Sequence, residues 1–175
     1  MIPSRFLLQA GILAMLLLSA CTSPPENIQP IEAFDLPRYL GKWHEIARLD
    51  HSFERGLGPV TAEYSMRDDG GVRVLNRGYN AQAGKWEEAE GKAYFVRNPD
   101  QGYLKVSFFG PFYGAYIIFE LDPDYRYALI SGPSKDYLWF LARSQEVPKA
   151  LIKRFIAQAK ALGFETDKLI FPSQH

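Results

Sequence analysis

The chain has 175 residues, 47% of them hydrophobic and 14% aromatic, and its 20 Lys and Arg residues balance its 20 Asp and Glu residues. This length and composition are typical of one folded domain with a packed core and exclude a disordered chain. Because there is no net positive charge to attract phosphate groups, we expect no nucleic-acid partner.

The first twenty residues are predicted to be an export signal and not part of the fold. Arg5 precedes an apolar run, Phe6 to Leu18, which is too short for a typical membrane-spanning helix. The run ends in Leu18-Ser19-Ala20-Cys21, which resembles the lipobox of bacterial lipoproteins. In that motif the Cys is acylated and becomes the new N-terminus. The alternative is a chance Cys after an ordinary signal peptide.

Cys21 is the only cysteine, so an exported chain cannot form an internal disulfide, and lipid attachment explains the residue best. Two or more acyl chains anchor a protein stably. Thr22 follows, not Asp, and by resemblance to bacterial sorting rules this favours the outer membrane of a Gram-negative envelope. We therefore predict a lipoprotein signal peptide at 1–20, a lipidated tether at 21–30 and a single domain at 31–175.

The domain is predicted to be all-β. A short helical turn at 35–40 precedes segments in which apolar and polar residues alternate, as in strands with one buried face. Asp68-Asp69-Gly70-Gly71 is typical of a hairpin turn. The predicted strands are Lys42–Leu49, Val60–Arg67, Val72–Arg77, Glu88–Phe95, Leu104–Phe108, Tyr116–Leu121, Tyr125–Ile130 and Tyr137–Arg143. Eight consecutive strands with mostly tight turns predict an antiparallel up-and-down β-barrel, which can hold one small ligand.

One α-helix is predicted near the C-terminus, between Pro148 and Gly163. Its apolar residues recur at helical spacing, and Lys and Arg occupy most of the other face. We expect it to pack on the outside of the barrel; a helix lying on a membrane is the alternative. A short strand, Lys168 to Phe171, is predicted to follow.

No catalytic or metal-binding set can be assembled from the sequence. The histidines are His44, His51 and the terminal His175, and zinc sites need three or four ligands, usually His or Cys. Ser131-Gly132-Pro133-Ser134 fits a turn better than a nucleophile elbow. We therefore predict a protein that is not an enzyme and has no metal or cofactor.

Gly41-Lys42-Trp43, at the start of the first strand, resembles the signature of the lipocalin family, and Arg143 resembles the family's third motif. The resemblance implies that Trp43 plugs one end of the barrel and that Arg143 packs across it. Residues 31–171 resemble the outer-membrane lipoprotein lipocalins of bacteria in particular. The second family motif, T-D-Y, is present only in shifted form, as Leu121-Asp122-Pro123-Asp124-Tyr125.

Alternation predicts an apolar lining with few polar atoms, which suits a hydrophobic ligand. In the branch of the family that includes apolipoprotein D, the positions matching Tyr64, Asn76 and Trp139 face the ligand. Glu45 shares a face with Trp43 and, if buried, needs a partner such as an Arg or a Tyr hydroxyl. The predicted ligand-binding residues are Tyr64, Met66, Val74, Asn76, Ala93, Phe108, Tyr113, Tyr116 and Trp139.

The resemblance implies a lipoprotein that stores or transports fatty acids or lysophospholipids and forms a homodimer. Two alternatives stay open. One is an enzyme of lipocalin shape, and the other is a structural envelope protein whose barrel is filled by its own side chains.

Overall fold

A computed structural model describes residues 22–174, which form a closed antiparallel barrel with one helix on its outside. Each strand pairs with the next in the chain, and β8 pairs with β1 to close the ring. The predicted fold is confirmed. The strands are β1 (Gly41–Arg48), β2 (Leu57–Met66), β3 (Val72–Asn80), β4 (Lys85–Phe95), β5 (Tyr103–Ser107), β6 (Gly114–Leu121), β7 (Tyr127–Ser131) and β8 (Leu138–Ala142).

The strands start and end at two rings of loops. The loops 67–71, 96–102 and 122–126 lie at one end, together with the short helix α1 (Leu36–Tyr39). We call this the closed end, and the opposite end, with the loops 49–56, 81–84, 108–113 and 132–137, the open end. In the hairpin from β2 to β3, Gly70 has a φ of +79°, a conformation that glycine adopts without steric cost.

Two apolar clusters hold the fold together. One fills the closed half of the barrel interior. The other lies between the outer barrel wall and helix α2 (Lys149–Ala161), where Phe140 and Phe155 stack with their ring centroids 4.8 Å apart. The amphipathic helix therefore packs on the barrel, as predicted, and ends before Gly163, whose φ is +86°. Beyond it the structure has a 3₁₀ turn, Thr166–Lys168, and a single bridge between Ile170 and Arg48 instead of the predicted strand.

The described part of the expected tether packs against the barrel. Ile28 is 1% exposed and belongs to the outer cluster. The hydroxyl of Tyr103, the first residue of β5, donates to the backbone oxygen of Thr22. The Ile31 N–H donates to Ile118 O at 2.9 Å. This bond holds the chain against β6 as it runs toward the closed end. The predicted signal peptide and Cys21 lie outside the described residues.

Candidate functional site

The barrel encloses a cavity of about 420 Å³ that opens between the loops of the open end. Its wall is mainly apolar, and its volume lies within the usual range for small-ligand sites. β2, β3, β4 and β5 contribute to it because their alternate side chains point inward. The apolar wall residues include Leu57, Val60, Ala62, Val72, Val74, Ala89, Ala93, Leu104, Val106 and Leu141.

Trp43 seals the closed end. Its side chain is fully buried, its ring lies 4.7 Å from the Tyr39 ring, and its indole N–H donates to Tyr39 O at 2.8 Å. The Arg143 guanidinium lies 4.0 Å from the Trp43 ring centroid, a cation–π contact. The same guanidinium donates to backbone oxygens from three segments of the chain: Arg38, Tyr39, Leu40, Lys42 and Tyr125. These contacts close this end of the barrel, and the cavity opens at the other end.

The shifted second motif also serves the closed end. Asp122 is buried, and its carboxylate accepts hydrogen bonds from the backbone N–H groups of Asp124 and Arg126 and from the Arg126 guanidinium. The Tyr125 hydroxyl accepts from the Asp35 N–H at 2.8 Å, just before α1. The Asp and Tyr thus fix the turn and tie it to the plug, although their spacing differs from T-D-Y.

Three tyrosines form the floor of the cavity. The Tyr116 hydroxyl lies 2.7 Å from the Tyr39 hydroxyl and 2.7 Å from the Tyr64 hydroxyl, and all three side chains line the cavity. Burial raises the pKa of each hydroxyl, so the three stay protonated at neutral pH. Tyr116 is the centre of this network because its hydroxyl makes both of the 2.7 Å hydrogen bonds.

A buried ion pair lies on the wall nearer the open end. Glu45 and Arg48 are 2% and 1% exposed, and Arg48 Nη1 lies 2.5 Å from Glu45 Oε1. The strand register shifts between Glu45 and Ala47, which brings Arg48 to the same side as Glu45. Arg48 Nη2 also donates to the backbone oxygens of Glu54 and Leu57, at 2.8 and 3.0 Å. Arg48 therefore holds the 49–56 loop over the cavity and is the partner that Glu45 requires.

Glu54 joins this pair to the cavity wall. Its Oε2 atom accepts a hydrogen bond from the Trp139 indole N–H at 3.1 Å and lies 3.0 Å from His51 Nε2. Both Glu45 and Glu54 line the cavity, so its wall toward the open end carries two buried acids. We name Glu45, Arg48, His51 and Glu54 the acidic cluster.

The two carboxyl groups of the acidic cluster have opposite pKa shifts. Burial raises the pKa of Glu45, and the Glu54 carboxylate raises it further, against the opposing effect of Arg48. Burial opposes ionisation of Glu54 as well, but His51 and the Trp139 N–H hold its pKa below the usual value. Glu45 therefore stabilises the fold most below the ordinary carboxyl range, and this contribution is lost as pH rises through its folded-state pKa. Glu54 stabilises the fold above that range, and its contribution is lost as pH falls.

One polar side-chain atom of the cavity wall, the buried Asn76 Oδ1, has no hydrogen-bond partner within residues 22–174. Buried polar atoms are normally paired, so an unpaired atom that faces a cavity is suited to a polar group of a ligand.

The structure places seven of the nine predicted ligand-binding residues in the cavity wall. They are Tyr64, Val74, Asn76, Ala93, Phe108, Tyr116 and Trp139. Met66 does not line the cavity: it ends β2 beyond the plugged interior, where its face reaches solvent, and it is 53% exposed. Tyr113 does not line it either, because its ring packs outside the barrel, against Tyr94 and under the Lys105 ammonium group.

Sequence reasoning missed the residues at the opening. Phe53, Phe109 and Phe112 line the mouth of the cavity and are 54%, 79% and 76% exposed. A signal was present, because Phe108 to Tyr113 holds four aromatic residues, one Gly and one Pro without a charge. Such an apolar run just after a short strand indicates an exposed aromatic loop.

Comparison with known proteins identifies the architecture. A family model described as a lipocalin-like domain matches residues 34–174. The chain belongs to the lipocalin family. Its barrel is similar to that of insecticyanin from the tobacco hornworm Manduca sexta, with a TM-score of 0.67, 23% identity and coverage of 86% of each chain.

Two bacterial relatives cover nearly the whole chain. The outer membrane lipoprotein Blc of Vibrio cholerae is 56% identical over 164 residues, 93% of this chain and 96% of that protein. Blc of Escherichia coli K12 is 50% identical over 169 residues, 95% and 96% of the two chains. Apolipoprotein D of Macaca fascicularis is 34% identical over 143 residues, 77% and 72% of the two chains. The expected resemblance to these proteins is confirmed.

These likenesses confirm the prediction of an outer-membrane lipoprotein and support a ligand-binding role over an enzymatic one. At the level of the family, the function is therefore that of a lipocalin that binds a small hydrophobic ligand. Within residues 22–174, no helix is both long and apolar enough to cross a bilayer.

Proposed function

We propose that this lipocalin takes up single-chain lipids, fatty acids or lysophospholipids, and stores or transports them at the outer membrane. The observation that carries the proposal is the apolar cavity of about 420 Å³, sealed at one end by Trp43 and open at the other. An acyl chain fits such a one-ended apolar tube because only its head group needs to remain near water.

The polar groups of the wall suit a ligand head group. Asn76 Oδ1 is unpaired, and Glu45 and Glu54 lie nearer the mouth. We propose that the head group lies among these atoms while the acyl chain extends toward Tyr116 on the floor. Acylation of Cys21 is proposed as the anchor that keeps the protein at the membrane. The homodimer implied by the family resemblance is tested by sedimentation velocity.

The test is a ligand titration of the delipidated mature chain, from residue 21 onward, with Cys21→Ser. Residues 22–174 contain the whole barrel and both apolar clusters, so this chain is expected to fold without the leader. A lysophospholipid and a fatty acid of the same chain length are added separately while Trp fluorescence is followed. We expect saturable binding to one site.

Two Trp variants locate the site. Trp139→Ala removes a cavity-wall side chain and should weaken binding by roughly tenfold. Trp86→Ala removes a Trp that is 48% exposed and packs against Tyr79 and Arg77, and it should leave the affinity within about twofold. Equal effects of the two variants would place the lipid outside the barrel. Turnover of either lipid would favour the enzyme alternative.

A further inference from the structure

The open end carries exposed aromatic residues on two separate loops. Phe53 lies in the 49–56 loop, and Phe109 and Phe112 lie in the 108–113 loop; they are 54%, 79% and 76% exposed. Soluble proteins rarely expose large apolar side chains in contiguous patches unless the patch binds something. We name these three residues the aromatic rim.

The surroundings of the aromatic rim resemble a membrane-interface belt. The run from Phe108 to Tyr113 contains no charged residue. Directly behind it, Lys105 Nζ lies 5.1 Å from the Tyr113 ring centroid. On the neighbouring hairpin, Trp86 is 48% exposed. Aromatic rings at an apolar tip with a cation behind them suit the boundary between acyl chains and head groups.

We propose that the aromatic rim docks on the surface of a lipid bilayer, with Phe109 and Phe112 inserted among the head groups. The choice of a bilayer over a protein partner rests on the proposed function. The rim lines the opening of a cavity proposed to take lipid, so docking would let an acyl chain pass between bilayer and barrel without crossing water.

The acyl anchor is a separate contact. Thr22, the residue after Cys21, is held by Tyr103 at the start of β5, next to a closed-end loop. The proposed anchor would thus keep a bilayer near the protein, whereas Thr22, the first described residue, lies away from the aromatic rim. Rim binding is therefore expected in a chain that has no acyl groups.

Binding should be driven by apolar burial and should depend only weakly on salt. Arg77, near the rim, is paired with Glu88, with Arg77 Nε 2.6 Å from Glu88 Oε1, so it supplies no uncompensated charge. Lys105 lies against the uncharged loop through its contact with Tyr113, and one cation gives only a shallow salt dependence.

The experiment is flotation of the mature Cys21→Ser chain, without ligand, on vesicles of phosphatidylethanolamine and phosphatidylglycerol. The parent chain should float with the vesicles. Phe109→Ser/Phe112→Ser should weaken this binding by at least about tenfold, because two exposed aromatic side chains lose their apolar contact with the bilayer. The matched control is Met66→Ser/Val96→Ser, which removes two closed-end side chains that are 53% and 37% exposed and should float as the parent does.

A fluorescence measurement reports the orientation directly. With Trp86 changed to Phe in both chains, a Phe109→Trp variant should shift its emission to shorter wavelength on vesicles and be quenched by brominated acyl chains, whereas Met66→Trp should do neither. Equal flotation of the Phe109→Ser/Phe112→Ser variant and the parent would overturn the proposal. So would a parent that ignores vesicles but loses self-association in sedimentation velocity when the rim is changed, since the rim would then be a protein contact. The flotation and fluorescence measurements use protein without ligand, so they test the rim even if the lipid titration detects no binding in the cavity.

Discussion

Replacing Tyr116 by Phe tests the tyrosine network on the cavity floor. The change removes one hydroxyl and leaves two others, those of Tyr39 and Tyr64, without their 2.7 Å partner. Tyr39 and Tyr64 are 2% and 6% exposed. A buried polar group left unpaired costs about 1–3 kcal/mol, so two of them should lower the free energy of unfolding by about 2–6 kcal/mol.

Tyr64→Phe is the matched control. It removes one hydrogen bond, but Tyr116 keeps its bond to Tyr39, so the expected loss is only about 1 kcal/mol. Urea unfolding of the ligand-free chain, followed by the emission of the buried Trp43, measures both variants. A loss for Tyr116→Phe no larger than that for Tyr64→Phe would refute the central role of Tyr116 and would mean that water satisfies the hydroxyls.

Three further predictions concern the plug, the acidic cluster and the cavity. Arg143→Lys cannot keep the planar stacking on Trp43 or all five hydrogen bonds, and it should lower the free energy of unfolding by about 2–3 kcal/mol, seen as a fall in Tm of roughly 4–12 °C. Glu45→Gln should remove the loss of stability with rising pH that the raised pKa of Glu45 causes. In urea unfolding, the free energy of unfolding of the variant should therefore increase relative to that of the parent as the pH rises from acidic to neutral. A difference between the two free energies that does not change with pH contradicts this. Val106→Trp fills the middle of the cavity and should weaken binding of either lipid more than tenfold, while circular dichroism still reports a folded barrel.

The barrel interior could be predicted from the sequence where one strand face meets solvent. In β2, β3 and β4 the alternation is clean, and it correctly places Tyr64, Val74 and Ala93 inside. In β7 and β8 both faces are apolar because helix α2 covers the outside. Leu129 belongs to the cluster under the helix, whereas its neighbour Ile130 belongs to the barrel interior. Sequence alone cannot distinguish these two kinds of burial.

Of the acidic cluster, only the inward position of Glu45 and its need for a partner could be predicted, since the rest depends on an irregularity of backbone pairing. Strict alternation from Trp43 places Glu45 inside and Arg48 outside. The register shift between Glu45 and Ala47 changes that phase, and Arg48 then meets both Glu45 and the 49–56 loop. Loop residues such as Glu54 have no periodicity, so their position over the cavity follows only from the closed barrel.

The sealed closed end has a kinetic consequence. Trp43 and Arg143 leave the cavity with one opening, and an eight-stranded barrel has room for one small ligand. A second molecule cannot push the first out from behind, nor pass it inside the tube. Ligand exchange must therefore be dissociative: the bound molecule leaves first, and the second molecule then enters. The rate at which a bound molecule is displaced should stay constant however much competitor is added.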